Sequence, residues 1–116
     1  MKEVLLQTKS EKFALRIVKL SEFLENKKQK ILAGQILRSG TSIGANIAES
    51  IYASSPADFI NKLQIAQKEA NETKFWLNLL FNADYINEEL YKSFINDITE
   101  LLKILGSSLK TLKLKP

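Results

Sequence analysis

The sequence contains no histidine and no cysteine. Without them, the usual zinc sites and most transition-metal sites have no ligands. A Ser-His-Asp triad and a histidine acid–base are excluded as well. So is a ferritin-like di-iron centre, which takes two Glu-x-x-His pairs. Any catalysis would rest on carboxylates, lysine, tyrosine or hydroxyls, and no acid–base pair of the usual kind stands out. No disulfide framework can form, which points to a reducing, cytoplasmic setting. No apolar run approaches the ~20 residues that span a bilayer. The opening MKEVLLQTKSEK has one short apolar run and returns to charge, a poor fit to a signal peptide. Only two prolines occur, the second being the last residue.

What is present is an ordinary globular composition, 45% apolar and 26% charged over 116 residues. That length fits one domain, able to bury most of its apolar surface without crosslinks. The 17 basic and 13 acidic residues leave a net charge of +4. This permits nucleic acid or an anionic surface as partner and requires neither.

Long stretches carry helical period, and none alternates like a strand. A first helix is expected over 10–25, where Phe13, Ile17, Leu20 and Leu24 recur at spacings of four, three and four. Thr8 and Glu11 have the form of a capping box at its start. A second helix is expected over 29–53, with Leu32, Ile36, Ile43, Ile47 and Ile51 on one face and Gly40 in the gap. Ser55 reads as the cap of a third helix over 56–81, with Pro56 in its first turn. Its inner row is Phe59, Leu63, Ala66, Ala70, Thr73, Leu77 and Leu80. Asn87 reads as the cap of a fourth helix that runs to about Leu112. Its main row is Leu90, Phe94, Ile98, Leu101, Leu105 and Leu112.

Four helices with short connections predict an all-α, antiparallel up-down-up-down four-helix bundle filling residues 1–116 as a single domain. Several helices are apolar over more than one stripe, which predicts a second buried surface between subunits. The alternative is a thick core with some exposed leucines.

The stretch RSGTSIGANIAES (38–50) looks at first like a ligand loop. No strand precedes it and no Gly-Lys-Ser/Thr ending follows, so the phosphate-loop and dinucleotide-fingerprint readings fail. Read as helix, it places Gly40, Gly44 and Ala48 four apart, a flat strip for close approach of another backbone. Each interior glycine costs ~1 kcal/mol relative to alanine, and close packing is the simplest compensation. Arg38, Asn46 and Glu49 then need partners, and Glu72 of the third helix suits Arg38. These four are read as a structural polar network, with solvent exposure as the alternative.

LRSGTSIGANIAES (37–50) resembles the signature of the four-helix-bundle family known as 23S rRNA intervening-sequence proteins, with Arg38, Ser42, Ile43, Asn46, Ile47, Ala48 and Glu49 on it. DFINKLQIAQKEANETKFWLNLL (58–80) resembles the family's second signature at Ile65, Ala66, Glu72 and Leu77. The likeness continues through NADYINEE (82–89), and Ser50 departs from the glycine or alanine common in relatives. The resemblance implies a bundle assembling as a cyclic homopentamer of bacterial origin, with no activity established for most members. It also implies likeness to the accessory variability determinant of diversity-generating retroelements, a basic pentamer that binds nucleic acid beside a reverse transcriptase.

Two functions compete on these grounds, and neither is enzymatic or needs a cofactor. The first is binding of RNA or DNA with little sequence specificity, through the stripe Lys9, Lys12, Arg16 and Lys19 and the turn Lys27, Lys28 and Lys30. The tail lysines Lys110, Lys113 and Lys115 would add to it. Aromatic interleaving is absent from these segments, so base stacking is not expected. Snorkelling of the stripe lysines beside a core is the bland alternative. The second function is a protein–protein scaffold for a reverse transcriptase or a ribosome-associated protein. An enzyme built on Glu49, Tyr52 and Glu72 ranks last.

Overall fold

The structure, a computed structural model, describes residues 2–113. It holds four helices and, among the described residues, no strand. These are α1 (Lys2–Asn26), α2 (Lys30–Ser50), α3 (Pro56–Asn82) and α4 (Glu88–Lys113). They pack in cyclic order, α1 on α2, α2 on α3, α3 on α4 and α4 back on α1, with α1 and α4 the least closely apposed pair. The result is consistent with a four-helix bundle, a rod of 49 × 22 × 19 Å. Among the described residues, no helix is long and apolar enough to cross a membrane.

The expected inner rows form the core. Phe13, Ile17, Leu20 and Leu24 of α1 meet Ile36, Ile43 and Ile47 of α2 and the Leu63–Leu80 row of α3, with Phe94, Ile98, Leu101 and Leu105 of α4 closing the interior. Leu109 extends the α4 row, and Ile86 plugs one end from the turn before α4. Phe59, Leu32, Leu90 and Leu112 are only partly buried at the margins.

Helix α1 begins at Lys2, not near residue 10. Thr8 and Glu11 lie inside the helix and are exposed, so they cap nothing. The reason is energetic. Leu6 and Ser10 continue the buried row, with Leu6 only 2% exposed. Burying a leucine contributes about 1.5–3 kcal/mol, against ~1 kcal/mol for a cap. Helix α2 stops at Ser50, three residues short of the expected end. Ile51 and Tyr52 bond back to the Ala48 and Glu49 carbonyls in a tightened last turn. Both are exposed, Tyr52 by 87%, so no burial supports a further turn, and Ile51 leaves the apolar row expected of it.

The caps of the later helices follow the sequence. Ser55 Oγ accepts from the Asp58 N–H at 3.1 Å, with Pro56 beside it. Asn87 Oδ1 accepts from the Leu90 N–H at 2.8 Å. The ends of α1 and α3 are less conventional. Lys28 and Asp84 adopt left-handed backbone, with φ of 64° and 65°. The amides of Lys28 and Gln29 reach the carbonyls of Glu25 and Leu24, and those of Asp84 and Tyr85 reach Phe81 and Leu80. Both are Schellman ends without the usual glycine.

Candidate nucleic-acid interface

The expected cationic stripe on α1 lies along the α1–α4 seam, and α4 answers it with acids. Lys9 Nζ meets Glu100 Oε1 at 2.7 Å. Arg16 bonds Asp97, donates to Ser93 Oγ at 2.9 Å and lies 4.1 Å above the Phe94 ring. These two cations are structural staples, so the stripe is not one continuous free surface. Lys12 and Lys19 remain exposed, with no carboxylate within 4 Å among the described residues.

The turn lysines occupy the adjoining end of the rod. Lys27 sits 4.6 Å over the Phe23 ring, Lys28 holds the left-handed turn position, and Lys30 opens α2. A hollow of about 690 Å³ at this end is lined by Lys27 but also by Asp84 and Glu89. Its field is of mixed sign.

The polar network expected around the signature divides into separate pieces. Arg38 of α2 does meet Glu72 of α3, and a second bond runs to Glu69 Oε2 at 3.2 Å. Trp76 Nε1 donates to the same Glu72 carboxylate at 3.0 Å. Glu49 instead pairs with Lys62 at 3.1 Å. Asn46 turns back onto its own helix, donating to the Ser42 carbonyl at 2.9 Å. The register explains the split. Residue 38 lies about two turns from 46 and about three from 49 along one helix, too far for Arg38 to join either. A buried polar contact that the sequence did not reveal lies between them, Thr73 Oγ1 bonded to Ser39 Oγ at 2.9 Å.

The glycine strip faces α1. A Cβ on Gly40 would stand 2.7 Å from Cγ2 of the fully buried Ile17, so only glycine lets α1 approach here. A Cβ on Gly44 would stand 3.4 Å from the Ser10 carbonyl oxygen, at the near edge of ordinary contact. Ala48 is exposed and lines a shallow groove between the two helices with Gly44, Ser10 and Ala14. Glu49, Tyr52 and Glu72 do not converge, and no group of three metal-ligating side chains forms among the described residues.

The lysines of α3 and α4 make a different surface. Lys68, Lys74, Lys103, Lys110 and Lys113 are exposed, and none has a carboxylate within 4 Å among the described residues. Of these, the sequence pointed only to Lys110 and Lys113; Lys115 lies outside the described residues. The signal that would have found Lys74 and Lys103 is the absence of any acid in α3 after Glu72 and in α4 after Glu100.

Comparison with known proteins agrees with the residue pattern. No curated protein matches the chain. A solved structure from Bacteroides thetaiotaomicron, described as a protein of unknown function from the S23 ribosomal protein family, is similar with 55% identity and a TM-score of 0.92. The match covers 95% of this chain and 99% of that one. The family model for 23S rRNA-intervening sequence protein matches residues 2–107, and the chain belongs to that family.

Proposed function

We propose that the protein is a non-enzymatic, homo-oligomeric helical module that binds RNA or DNA with little sequence specificity. The observation that carries this reading is the division of labour among charges. Carboxylates Glu69, Glu72, Asp97 and Glu100 are engaged in holding helices together, and exposed lysines are left without counter-charge. Unopposed lysines on a rigid frame suit phosphate contact, where affinity comes from counterion release and carries no base information.

The up-down-up-down order is part of the proposal. It is supported by opposed registers, with Ser10 near Gly44 and Ile17 near Gly40, and with Arg38 beside Glu72 and Glu49 beside Lys62. A single domain assembled as a cyclic homopentamer is the form that the family likeness favours. Support comes from the exposed apolar and small residues of α2, which stand among the charged Lys30, Arg38 and Glu49. Ile31 is 82% exposed, and Gly34, Ala45 and Ala48 are exposed along the same face. Leu15 and Val18 of α1 are exposed as well. Such a surface fits helix-on-helix contact between copies better than solvent. Five copies would carry about +20 (five times the +4 of one chain), enough for multivalent phosphate contact.

The test is retardation of structured RNA and duplex DNA by the purified protein at low salt. Binding that weakens steeply with added salt is expected, and failure to retard either polymer sinks the reading. The same exposed face of α2 favours a second reading, a scaffold for a reverse transcriptase or ribosome-associated protein. Recovery of a stoichiometric protein from native cells after nuclease treatment would favour it.

A further inference from the structure

We infer that the seam between α3 and α4 is the face that grips the phosphodiester backbone. This rests on the nucleic-acid reading above and adds where and by which groups the polymer is held.

The acids of the two helices turn away from this seam. In α3 they are Asp58, Glu69 and Glu72, and in α4 they are Glu88, Glu89, Asp97 and Glu100. Asp58 accepts from the Ser54 N–H at the helix start. Glu69 and Glu72 hold Arg38 on the α2 side. Asp97 and Glu100 hold Arg16 and Lys9 on the α1 side. Glu88 is occupied by Lys92 in the first turn of α4, and Glu89 lines the hollow at the turn end.

The seam itself is lined by donors. Positions 103, 106, 110 and 113 of α4 recur at spacings of three, four and three, which places Lys103, Gly106, Lys110 and Lys113 in one stripe. Gln67, Asn71, Lys74 and Asn78 do the same on α3. The helices meet at Gly106, where a Cβ would stand 4.0 Å from the Gln67 amide, and further along the seam at Asn78, whose Oδ1 accepts from Tyr91. That bond leaves the Asn78 amide N–H groups available to donate outward. A hollow of about 380 Å³ opens between the stripes, lined by Gln67, Gly106, Leu109, Lys110 and Lys113 and by no carboxylate. Ammonium and amide N–H groups are donors, and phosphate oxygens are acceptors. From Lys103 to Lys113 the helix rises on the order of 15 Å, room for more than one phosphate.

The other end of the molecule is less suited. The larger hollow beside Lys27 brings Asp84 and Glu89 against any phosphate that enters. The cyclic order of the helices also puts the α3–α4 seam opposite the α1–α2 side. A second copy docked on the outward faces of α1 and α2 therefore leaves the seam open.

The experiment compares two multiple variants of the full chain, K74Q/K103Q/K110Q/K113Q and K12Q/K19Q/K27Q/K30Q. Each removes four exposed lysines, none in an ion pair, and circular dichroism checks that both remain helical. Affinity is measured for a short RNA duplex, the DNA duplex of the same sequence and a single strand. The seam variant is expected to lose roughly tenfold or more at about 50 mM salt, and the other variant no more than about threefold. Equal losses, or a larger loss in the α1 and turn variant, would overturn the inference while leaving the nucleic-acid reading standing. If the wild-type protein binds none of the three polymers, both fail.

Discussion

Helix α4 has two flanks, and they treat charge in opposite ways. On the α1 side, Asp97 and Glu100 reach across to Arg16 and Lys9, and the guanidinium lies on the Phe94 ring. On the α3 side, Lys110 and Lys113 line a hollow with Gln67 and without acids, and Lys103 continues their stripe along the helix. The first flank spends its cations on cohesion, where the helices are least closely apposed. The second coheres through apolar contact and the Tyr91–Asn78 bond, so its lysines are left over. A basic stripe in a sequence and a basic surface in a fold are therefore different things. Ion pairing decides which lysines a partner can use.

Variants that shift charges between the flanks test this most strongly. Replacing Asp97 by Asn and Glu100 by Gln releases Arg16 and Lys9. Nucleic-acid affinity is expected to rise by about threefold at most, as two cations away from the seam become free for phosphate. Titration of a labelled duplex against wild type and double variant measures it, and unaltered affinity would break the contrast between flanks. The next effect is on stability. Arg16→Ala removes the ion pair, the Ser93 bond and the ring contact together. Both partners are partly exposed, so screening limits the loss to about 1–2 kcal/mol. A chemical denaturation midpoint reads it, and the loss should exceed that for Lys103→Ala on the other flank.

Smaller effects come from the backbone. Lys28→Gly relieves a left-handed residue at the end of α1 and is expected to stabilise by about 1 kcal/mol, seen as a raised melting temperature. Gly106→Ala is expected to stabilise by up to about 1 kcal/mol, because its Cβ finds only the Gln67 amide at 4.0 Å. The same change at Gly40 should act in the opposite direction, since Ile17 is fully buried and cannot give way. A melting series across the two glycines separates a packing glycine from a spare one.

Much of the fold was legible because helical period is local. The rows from Phe13 to Leu24 and from Leu63 to Leu80 were read directly from spacings of three and four. The caps Ser55 and Asn87 were legible for the same reason, each needing only residues within one turn. The start of α1 was misread because Thr8 and Glu11 fit a local rule that the burial of Leu6 overrides. The ends at Lys28 and Asp84 gave no glycine signal.

The site was less legible. Helix register is enough to pair Arg38 with Glu72, but it does not separate Asn46 and Glu49, which bond elsewhere, from that network. The cations of the α1 stripe were visible in sequence, yet Asp97 lies 81 positions from Arg16 and its pairing depends on the closure of the whole bundle. Which lysines remain unopposed is a property of all four helices at once.

The most direct test is the salt dependence of nucleic-acid binding. For duplex DNA, the slope of log affinity against log salt counts the phosphates neutralised, about 0.9 for each. Wild type and K74Q/K103Q/K110Q/K113Q are compared over the same salt range. The seam variant is expected to lose about three to four units of slope, close to one per lysine removed. A seam variant with the wild-type slope would contradict the claim that these lysines hold the backbone.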